Sequence, residues 1–154
     1  MSAVFSSCVQ LRFMQESDLI TVMKIETAAY SFPWTFKNFK DCLHVGYNAK
    51  VLEVENNLSG YGVMSAAVGE AHILNLCVHP NLQGCGYGQY ILKDLLVLAK
   101  QKEVNTVFLD VRRSNKSAFN LYHKMGFNQI GVRKNYYPNS NQTHEDALIF
   151  ALTL

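Results

Sequence analysis

A glycine-rich run at residues 79–88, HPNLQGCGYG, has the residue types of an anion-binding turn. It lies between an apolar stretch at residues 73–78, which predicts a strand, and an amphipathic stretch at residues 89–102, which predicts a helix. Glycines let the backbone approach a phosphate closely, and the first N–H groups of a helix lack intrahelical partners. The sequence therefore predicts a backbone cradle for a phosphate group, although such turns also occur without a ligand.

The spacing of this run distinguishes it from two common phosphate loops. It has no Gly-Lys-Ser/Thr ending, and it is not Gly-x-Gly-x-x-Gly. It is Gln83-x-x-Gly86-x-Gly88. Cys85 precedes the predicted helix, whose N-terminus could lower the pKa of the thiol, but a side chain that merely fits the loop is the simpler interpretation.

Two further side chains interrupt apolar patterns and could perform acid–base chemistry. Asp110 lies inside the apolar segment 107–111, where an unpaired charge would be costly. A structural alternative is an ion pair with Arg112, two residues along the same strand face. Tyr122 lies on an apolar helical stripe, where a tyrosine is usually a core aromatic. The residue types alone leave both alternatives open.

The elements predicted around these residues alternate between strand and helix periodicity. A helix through residue 29 follows a Ser17 cap, and Thr35 caps a second helix to residue 43 after Pro33. A third helix spans residues 89–102, and a fourth spans 115–125 and ends at Gly126. The turns are predicted at residues 56–57, 59–60 and 69–70. The predicted strands are 8–13, 49–54, 61–68, 73–78, 106–112, 127–132 and 147–152. The order predicts a mixed α/β sheet with parallel pairing only across a helix.

Length and composition predict one ordinary globular domain over residues 1–154, with 49% hydrophobic and 17% charged residues. A net charge of +2 does not favour a nucleic-acid partner, and no apolar run approaches the ~20 residues that cross a bilayer. The first eight residues show no leader pattern. The four cysteines have no metal-ligand spacing and are expected to be reduced and mostly buried, so we expect a cytoplasmic protein.

Five separated segments resemble one family, the GNAT superfamily N-acetyltransferases of the RimI type, which acetylate a ribosomal protein at an N-terminal alanine. The resemblance covers nearly the whole chain. The segments are AYSFPWT at 29–35, NLCVHP at 75–80 with the Gln83 loop, LDVR at 109–112 with Ser114-Asn115, AFNLYHKMGF at 118–127, and NYYP at 135–138 with HEDA at 144–147.

The resemblance implies the GNAT fold, a mixed, mostly antiparallel sheet splayed between its central strands with helices on both faces. It also implies acetyl-CoA as co-substrate and no metal. The backbone of Leu76, Cys77 and Val78 would hold the pantetheine arm and polarise the thioester. The N–H groups of Gly84, Cys85, Gly86, Tyr87, Gly88 and Gln89 would bind the pyrophosphate, and Asn115 would contact coenzyme A or simply cap its helix.

For catalysis, the resemblance implies direct attack of the amine on the thioester. Tyr122 occupies the general-acid position. Asp110 occupies the general-base position, where the family has glutamate, and a water could span the missing methylene. The family's arginine after the loop glutamine is also absent, since Gly84 and Cys85 follow Gln83. Arg112, Arg113 and Lys116 could compensate, or form a solvated basic patch.

On the acceptor side, the resemblance implies that Phe32 and Trp34, with Tyr136 and Tyr137, form two walls of a peptide groove. Trp34 could equally anchor the core. Glu26 could meet the substrate ammonium, although a solvated helix face is the expected location. The leading hypothesis is acetylation of a small-subunit ribosomal protein, without nucleic-acid or membrane contact. A lysine or small-molecule acetyltransferase and a non-catalytic CoA-binding module are the alternatives.

Overall fold

The computed structural model describes residues 8–154, so the expectation that no leader begins the chain falls mainly on residues outside this range. Four helices and seven strands follow the predicted order, with short 3₁₀ helices at Glu16–Asp18 and Pro80–Leu82. The strands are β1 Val9–Phe13, β2 Asn48–Val54, β3 Asn57–Ala66, β4 Glu70–Val78, β5 Thr106–Arg112, β6 Asn128–Pro138 and β7 His144–Thr153. The helices are α1 Leu19–Ala29, α2 Phe36–His44, α3 Tyr87–Gln101 and α4 Lys116–Lys124.

The seven strands form one mixed sheet in the order β1-β2-β3-β4-β5-β7-β6. Strands β4 and β5 are parallel and are connected through α3, as the crossover rule requires. Their register runs from Glu70↔Thr106 to Ile73↔Leu109, which is four residues of each strand. The β1–β2, β5–β7 and β6–β7 pairs are antiparallel. These features confirm the predicted fold class.

The chain divides into two compact units, and the first contains the described residues up to Val63 together with Asn75–Leu95. Its core is built where α1 and α2 pack their apolar stripes on β2 and β3. Leu19, Val22, Phe39 and Tyr61 are fully buried in this cluster. Trp34 packs against its edge, with its ring 5.0 Å from that of Phe39.

The part of α3 that belongs to this first unit, up to Leu95, packs on β3 at two glycines. A Cβ at Gly60 would lie 3.1 Å from the Ile91 side chain of α3 and 2.9 Å from the carbonyl oxygen of Cys77 on β4. One at Gly62 would lie 2.8 Å from the Leu95 side chain of α3. Because real Cβ contacts are longer than this, any other residue would displace the helix or the strand. The position of α3, which follows the glycine-rich loop, therefore depends on Gly60 and Gly62.

The second unit comprises Met64–Leu74 and Leu96–Leu154. Strand β5 alternates buried and half-buried residues, which place Val107, Leu109 and Val111 in the core. Helix α4 adds Tyr122, whose ring lies 5.7 Å from that of Phe127 and 6.4 Å from that of Phe150. Strands β6 and β7 extend well beyond the predicted segments, over eleven and ten residues.

Local capping confirms some predictions and corrects others. Thr35 accepts a hydrogen bond from the Asn38 N–H (3.1 Å), and Gly126 has a φ of +95° after α4. Ser17, however, lies inside the 3₁₀ turn and does not cap α1. This 3₁₀ turn precedes the helix, and it is closed by the Asp18 carboxylate, which accepts a hydrogen bond from the Gln15 N–H (2.7 Å).

Two turns bear on the strand boundaries. The β2–β3 turn is Glu55–Asn56, with φ values of +52° and +66°, so the predicted turn residues Ser59 and Gly60 lie within β3. Gly69, with φ +76°, makes the predicted turn into β4. Within residues 8–154, no helix is long and apolar enough to span a bilayer.

Candidate active site

The glycine-rich loop has the backbone conformation that a close anion approach requires. Gly84 and Gly86 have φ values of +81° and +88°, and a Cβ added at either would meet no atom of the chain within 4 Å. The N–H of Tyr90 donates to the carbonyl of Gly86 (3.1 Å), so the N–H groups of residues 87–89 precede the helical ladder. These features fit a pyrophosphate at the start of α3.

The strand end before this loop is held by side chains at two carbonyl oxygens. The Tyr30 hydroxyl donates to the Leu76 carbonyl (3.0 Å), and the Gln83 side-chain amide donates to the Val78 carbonyl (3.2 Å). Gln83 therefore links the loop to β4, which gives this residue of the motif a structural role. Cys77 and Val78 are themselves buried.

Asp110 is half-buried on β5 and is paired with a cation that the sequence did not indicate. Its Oδ2 lies 3.4 Å from Nε of Arg133 on β6, with the two side chains 30% and 54% exposed. Asp110 thus has a cationic partner other than Arg112, the structural alternative that the sequence left open. Along a strand, residues two apart are separated by roughly 7 Å. The long Arg133 side chain instead reaches Asp110 from β6, across the intervening strand β7.

Arg112 instead connects β5 to the β6–β7 hairpin. Its guanidinium donates to Glu145 Oε1 (2.9 Å) and to the Pro138 carbonyl (3.0 Å), and it lies 4.6 Å above the Tyr137 ring. Glu145 also accepts from the N–H and hydroxyl of Ser114, at 3.0 and 2.9 Å. Despite partial desolvation, these hydrogen bonds hold the pKa of Glu145 below its usual value.

Asp146 fixes the other side of the same hairpin. It accepts from the N–H of Asn135 (3.0 Å) and pairs with Arg113 (3.2 Å) and Lys134 (3.5 Å). Asn135 has a φ of +52°, so Asp146 stabilises a left-handed residue just before Tyr136. The backbone hydrogen bond is the main reason that the pKa of Asp146 is lowered. Arg112 and Arg113 thus each have a carboxylate partner within the protein, although Arg113 and Lys116 remain exposed.

Tyr122 is 7% exposed and packs among aromatic rings in the second unit. Burial, with a smaller contribution from Tyr137, raises the pKa of its hydroxyl above the usual value. The phenol is therefore protonated at neutral pH, as a proton donor must be. Asn115 caps α4, accepting from the Ala118 N–H (3.1 Å), so its structural interpretation is confirmed while a cofactor contact stays a prediction.

The aromatic pair at the hairpin is more accessible than Tyr122. Tyr136 is 53% exposed, and its ring lies 5.0 Å from that of Tyr137 in an edge-to-face contact. Desolvation, followed by the nearby charge of Asp110, raises the pKa of Tyr137 to about 12. Asp110, Arg133 and this tyrosine pair therefore form one cluster in the second unit.

The sequence interpretation missed a buried carboxylate in the first unit. Glu26 is 1% exposed, so its expected place on a solvated helix face is wrong. It accepts hydrogen bonds from Tyr61, Asn75 and the N–H of Trp34, and Phe32 is 45% exposed two residues before that tryptophan. Helical spacing could have found it, because Glu26 follows Leu19 and Val22 by seven and four residues on the apolar stripe.

The remaining polar candidates are mostly structural. His79 accepts from the Asn81 N–H (3.1 Å), while His72 and His123 stack on Phe108 and Phe119. Of the cysteines, Cys77 alone is buried, whereas Cys8 and Cys85 are exposed; the expectation of mostly buried thiols is therefore wrong. Among the described residues, no group of His, Cys, Asp and Glu is arranged to hold a metal.

Comparison with known proteins gives matches that cover most of the chain and agree with one another. The acetyltransferase (GNAT) family model matches residues 19–127. The [ribosomal protein bS18]-alanine N-acetyltransferase of Haemophilus influenzae is 36% identical over 142 residues, covering 92% of this chain and 96% of that protein. The crystal structure of the ribosomal-protein-S18-alanine N-acetyltransferase from Escherichia coli matches with a TM-score of 0.88 at 32% identity, over 94% of this chain and 93% of that one.

A protein from Salmonella typhimurium, solved with its cofactor acetyl-CoA, shares the fold at a TM-score of 0.80 and 18% identity, over 95% of this chain and 94% of that one. The chain belongs to the GNAT family of acetyltransferases. Within that family it is of the RimI type, as the five sequence segments predict.

Proposed function

We propose that this enzyme transfers the acetyl group of acetyl-CoA to the N-terminal α-amine of a ribosomal protein of the small subunit, with alanine as the preferred first residue. The observation that supports this most directly is the 36% identity with a bS18-alanine N-acetyltransferase over nearly the full length of both chains. An enzyme with this acceptor would work in the cytoplasm, without contacting nucleic acid or a membrane.

The donor would be held by backbone in the first unit. The N–H groups of residues 84–89 would bind the pyrophosphate, supported by the open left-handed backbone at Gly84 and Gly86. Leu76, Cys77 and Val78 would hold the pantetheine arm. Because side chains already occupy the carbonyls of Leu76 and Val78, we assign the donor contacts on β4 chiefly to its N–H groups. Asn115 would contact the coenzyme while capping α4.

When bound, acetyl-CoA supplies a thioester whose carbonyl carbon a neutral amine can attack, forming the C–N bond as the C–S bond breaks. Asp110 would accept the proton that the amine loses, directly or through a water. Tyr122 would donate its hydroxyl proton to the departing sulfur, since a phenol carries its proton at neutral pH. The proton taken up at Asp110 and the one lost from Tyr122 balance over the reaction.

A peptide α-amine needs less help from a general base than a lysine side chain does. Its pKa is near 8, against about 10.4 for lysine, so ~10% is already neutral at pH 7. Asp110 is partly exposed and paired with Arg133, which is compatible with a carboxylate that reaches a bound water. The aromatic residues that we assign to the acceptor peptide are Phe32, Trp34, Tyr136 and Tyr137.

The test is incubation of the protein with acetyl-CoA and peptides that differ only at residue one and contain an internal lysine. Mass spectrometry should place the acetyl group on the N-terminal amine, with alanine acetylated fastest. Faster acetylation of the lysine would instead support a lysine acetyltransferase. Donor binding without transfer to any peptide would support a non-catalytic module.

A further inference from the structure

Glu26 on α1 is a carboxylate buried to 1% exposure, and both of its oxygens accept hydrogen bonds. Oε1 accepts from the Tyr61 hydroxyl (2.5 Å) and the Asn75 side-chain amide (3.1 Å). Oε2 accepts from the backbone N–H of Trp34 (2.9 Å). Three donors from three different segments therefore converge on one side chain.

Burying a carboxylate in a protein core costs free energy of desolvation. Within residues 8–154 no ion pair to Glu26 is found, and the groups that donate hydrogen bonds to it are all neutral. Taking a carboxylate out of water costs several kcal/mol, which hydrogen bonds to a charged acceptor offset only if all of them form. An apolar side chain would fill the same space at less cost.

The segments that Glu26 connects are those assigned to acceptor and donor. Trp34 ends the Phe32–Trp34 stretch, and Asn75 immediately precedes the β4 residues at 76–78 that we assign to the pantetheine arm. Tyr30, one helical turn after Glu26, donates to the Leu76 carbonyl (3.0 Å). The end of α1 therefore fixes both the acceptor stretch and β4.

We propose that Glu26 is a positioning residue, which holds the backbone of the Phe32–Trp34 stretch against β4 so that its aromatic side chains can receive the acceptor peptide. This inference rests on the proposed function. Direct contact of Glu26 with the substrate ammonium is disfavoured, because both oxygens are occupied and the side chain is inaccessible.

The test compares two substitutions of Glu26 by steady-state kinetics with an alanine-terminated peptide and acetyl-CoA. Glu26→Met has a similar length and no acceptor, so the Trp34 N–H loses its partner. We expect the peptide KM to rise on the order of tenfold, with kcat and the acetyl-CoA KM changed less than about threefold. In Glu26→Gln, the amide oxygen can still accept from the Trp34 N–H if the amide nitrogen takes the place of Oε1. The Tyr61 hydroxyl can rotate and the Asn75 amide can flip, so that both accept from this nitrogen instead of donating. This variant should restore the peptide KM to within about threefold of the unmodified enzyme.

Tyr61→Phe is the matched control, because it removes one donor to Oε1 and leaves the Trp34 hydrogen bond intact. It should lower the melting temperature while keeping the peptide KM within about twofold. An unchanged peptide KM in Glu26→Met would overturn the proposal. So would an equal rise in Tyr61→Phe, which would indicate general core disruption, or an equal rise in Glu26→Gln, which would indicate a role of the charge itself.

If Glu26→Met does not fold, hydrogen exchange of the unmodified protein gives an independent test. The Trp34 amide should exchange at least on the order of 10²-fold more slowly than an exposed loop amide, because it donates to a buried acceptor. Exchange at the rate of a solvated loop would contradict the proposal. If the unmodified protein acetylates no peptide N-terminus, the proposed function itself fails. This result differs from an active enzyme whose peptide KM does not change when Glu26 is substituted.

Discussion

Arg133 Nε lies 3.4 Å from Asp110 Oδ2, so the carboxylate that we assign as the base is paired with a residue two strands away in the sheet. Both side chains are partly exposed, at 54% and 30%. Ion pairs of this kind contribute about 0–1 kcal/mol to stability. The small stabilisation by this ion pair therefore does not explain why β5 carries a charged residue, which favours a catalytic role for Asp110.

Asp110→Asn should lower turnover by roughly 10- to 100-fold at pH 7, because the amide cannot accept the proton. The deficit should shrink towards pH 9, where the α-amine loses its proton unaided. Because the Arg133 pair is weak, the melting temperature should fall by less than about 4 °C. A pH–rate profile and a melting curve of the variant measure both effects.

Two companion variants make this test specific. Asp110→Glu should retain or improve activity, provided that the site has room for one more methylene. Arg133→Gln breaks the same ion pair while keeping the carboxylate, and should keep kcat within about threefold. Full activity of Asp110→Asn at pH 7 would remove this residue from the mechanism.

Tyr122→Phe keeps the ring contacts with Phe127 and Phe150 and removes only the hydroxyl. Folding stability should change little, while turnover should fall by about 10²-fold or more, since no proton donor remains for the sulfur. Tyr137→Phe is the comparison, because that residue is assigned to the acceptor and its loss should raise the peptide KM instead. Normal turnover in Tyr122→Phe would leave Tyr122 as a core aromatic alone.

Gly86→Leu should abolish the rise in melting temperature that acetyl-CoA gives the unmodified protein, because a side chain at this position obstructs backbone approach to the pyrophosphate. Gly46→Leu is a matched control, since Gly46 has a similar φ of +83° and equally open surroundings in the turn after α2. Both variants should lose roughly 1–2 kcal/mol to backbone strain. We expect Gly46→Leu to keep the donor-induced shift, and a shift retained in Gly86→Leu would contradict the assignment of the loop.

The lowered pKa values of Glu145 and Asp146 predict that the protein loses stability in acid. Both pKa values are lowered in the folded protein, so their contribution is complete above the unfolded values near 4 and disappears as the pH falls through the folded ones. Melting temperatures measured from pH 7 to pH 2.5 should therefore decline below about pH 4.5. Glu145→Gln should be less stable at pH 7 and decline less steeply. Parallel curves for the two proteins would show that the Arg112–Glu145 pair contributes nothing.

Much of the fold could be predicted because local signals and tertiary structure agree. The periodicity of β5, the Thr35 cap and Gly126 each specify an element without reference to distant residues. The β6–β7 hairpin was predicted too short for the opposite reason. Its outer half, beyond Lys134 on β6, is exposed on nearly every residue and has no apolar–polar alternation, so the strand is recognised only by its pairing.

The candidate site was less predictable than the fold, because partners of charged groups lie across strands rather than along the chain. In the sequence, Glu145 and Asp146 stand out only as part of the HEDA segment at 144–147, yet they organise Ser114 and Asn135, which are 31 and 11 residues away. The burial of Glu26 depends in the same way on donors from β3 and β4. A single sequence shows such residue types but not their partners.

Strand β6 lies at one edge of the seven-stranded sheet and carries the two tyrosines that we assign to the acceptor. This edge position affects how readily the protein aggregates. An edge strand of eleven residues with Ile130 and Val132 exposed could pair with another copy of the chain and aggregate. The irregular register between Arg133 and Tyr137 and the cations Arg133 and Lys134 oppose such pairing. Substitutions that straighten this strand or remove its charge are therefore expected to lower solubility even where they leave catalytic activity unchanged.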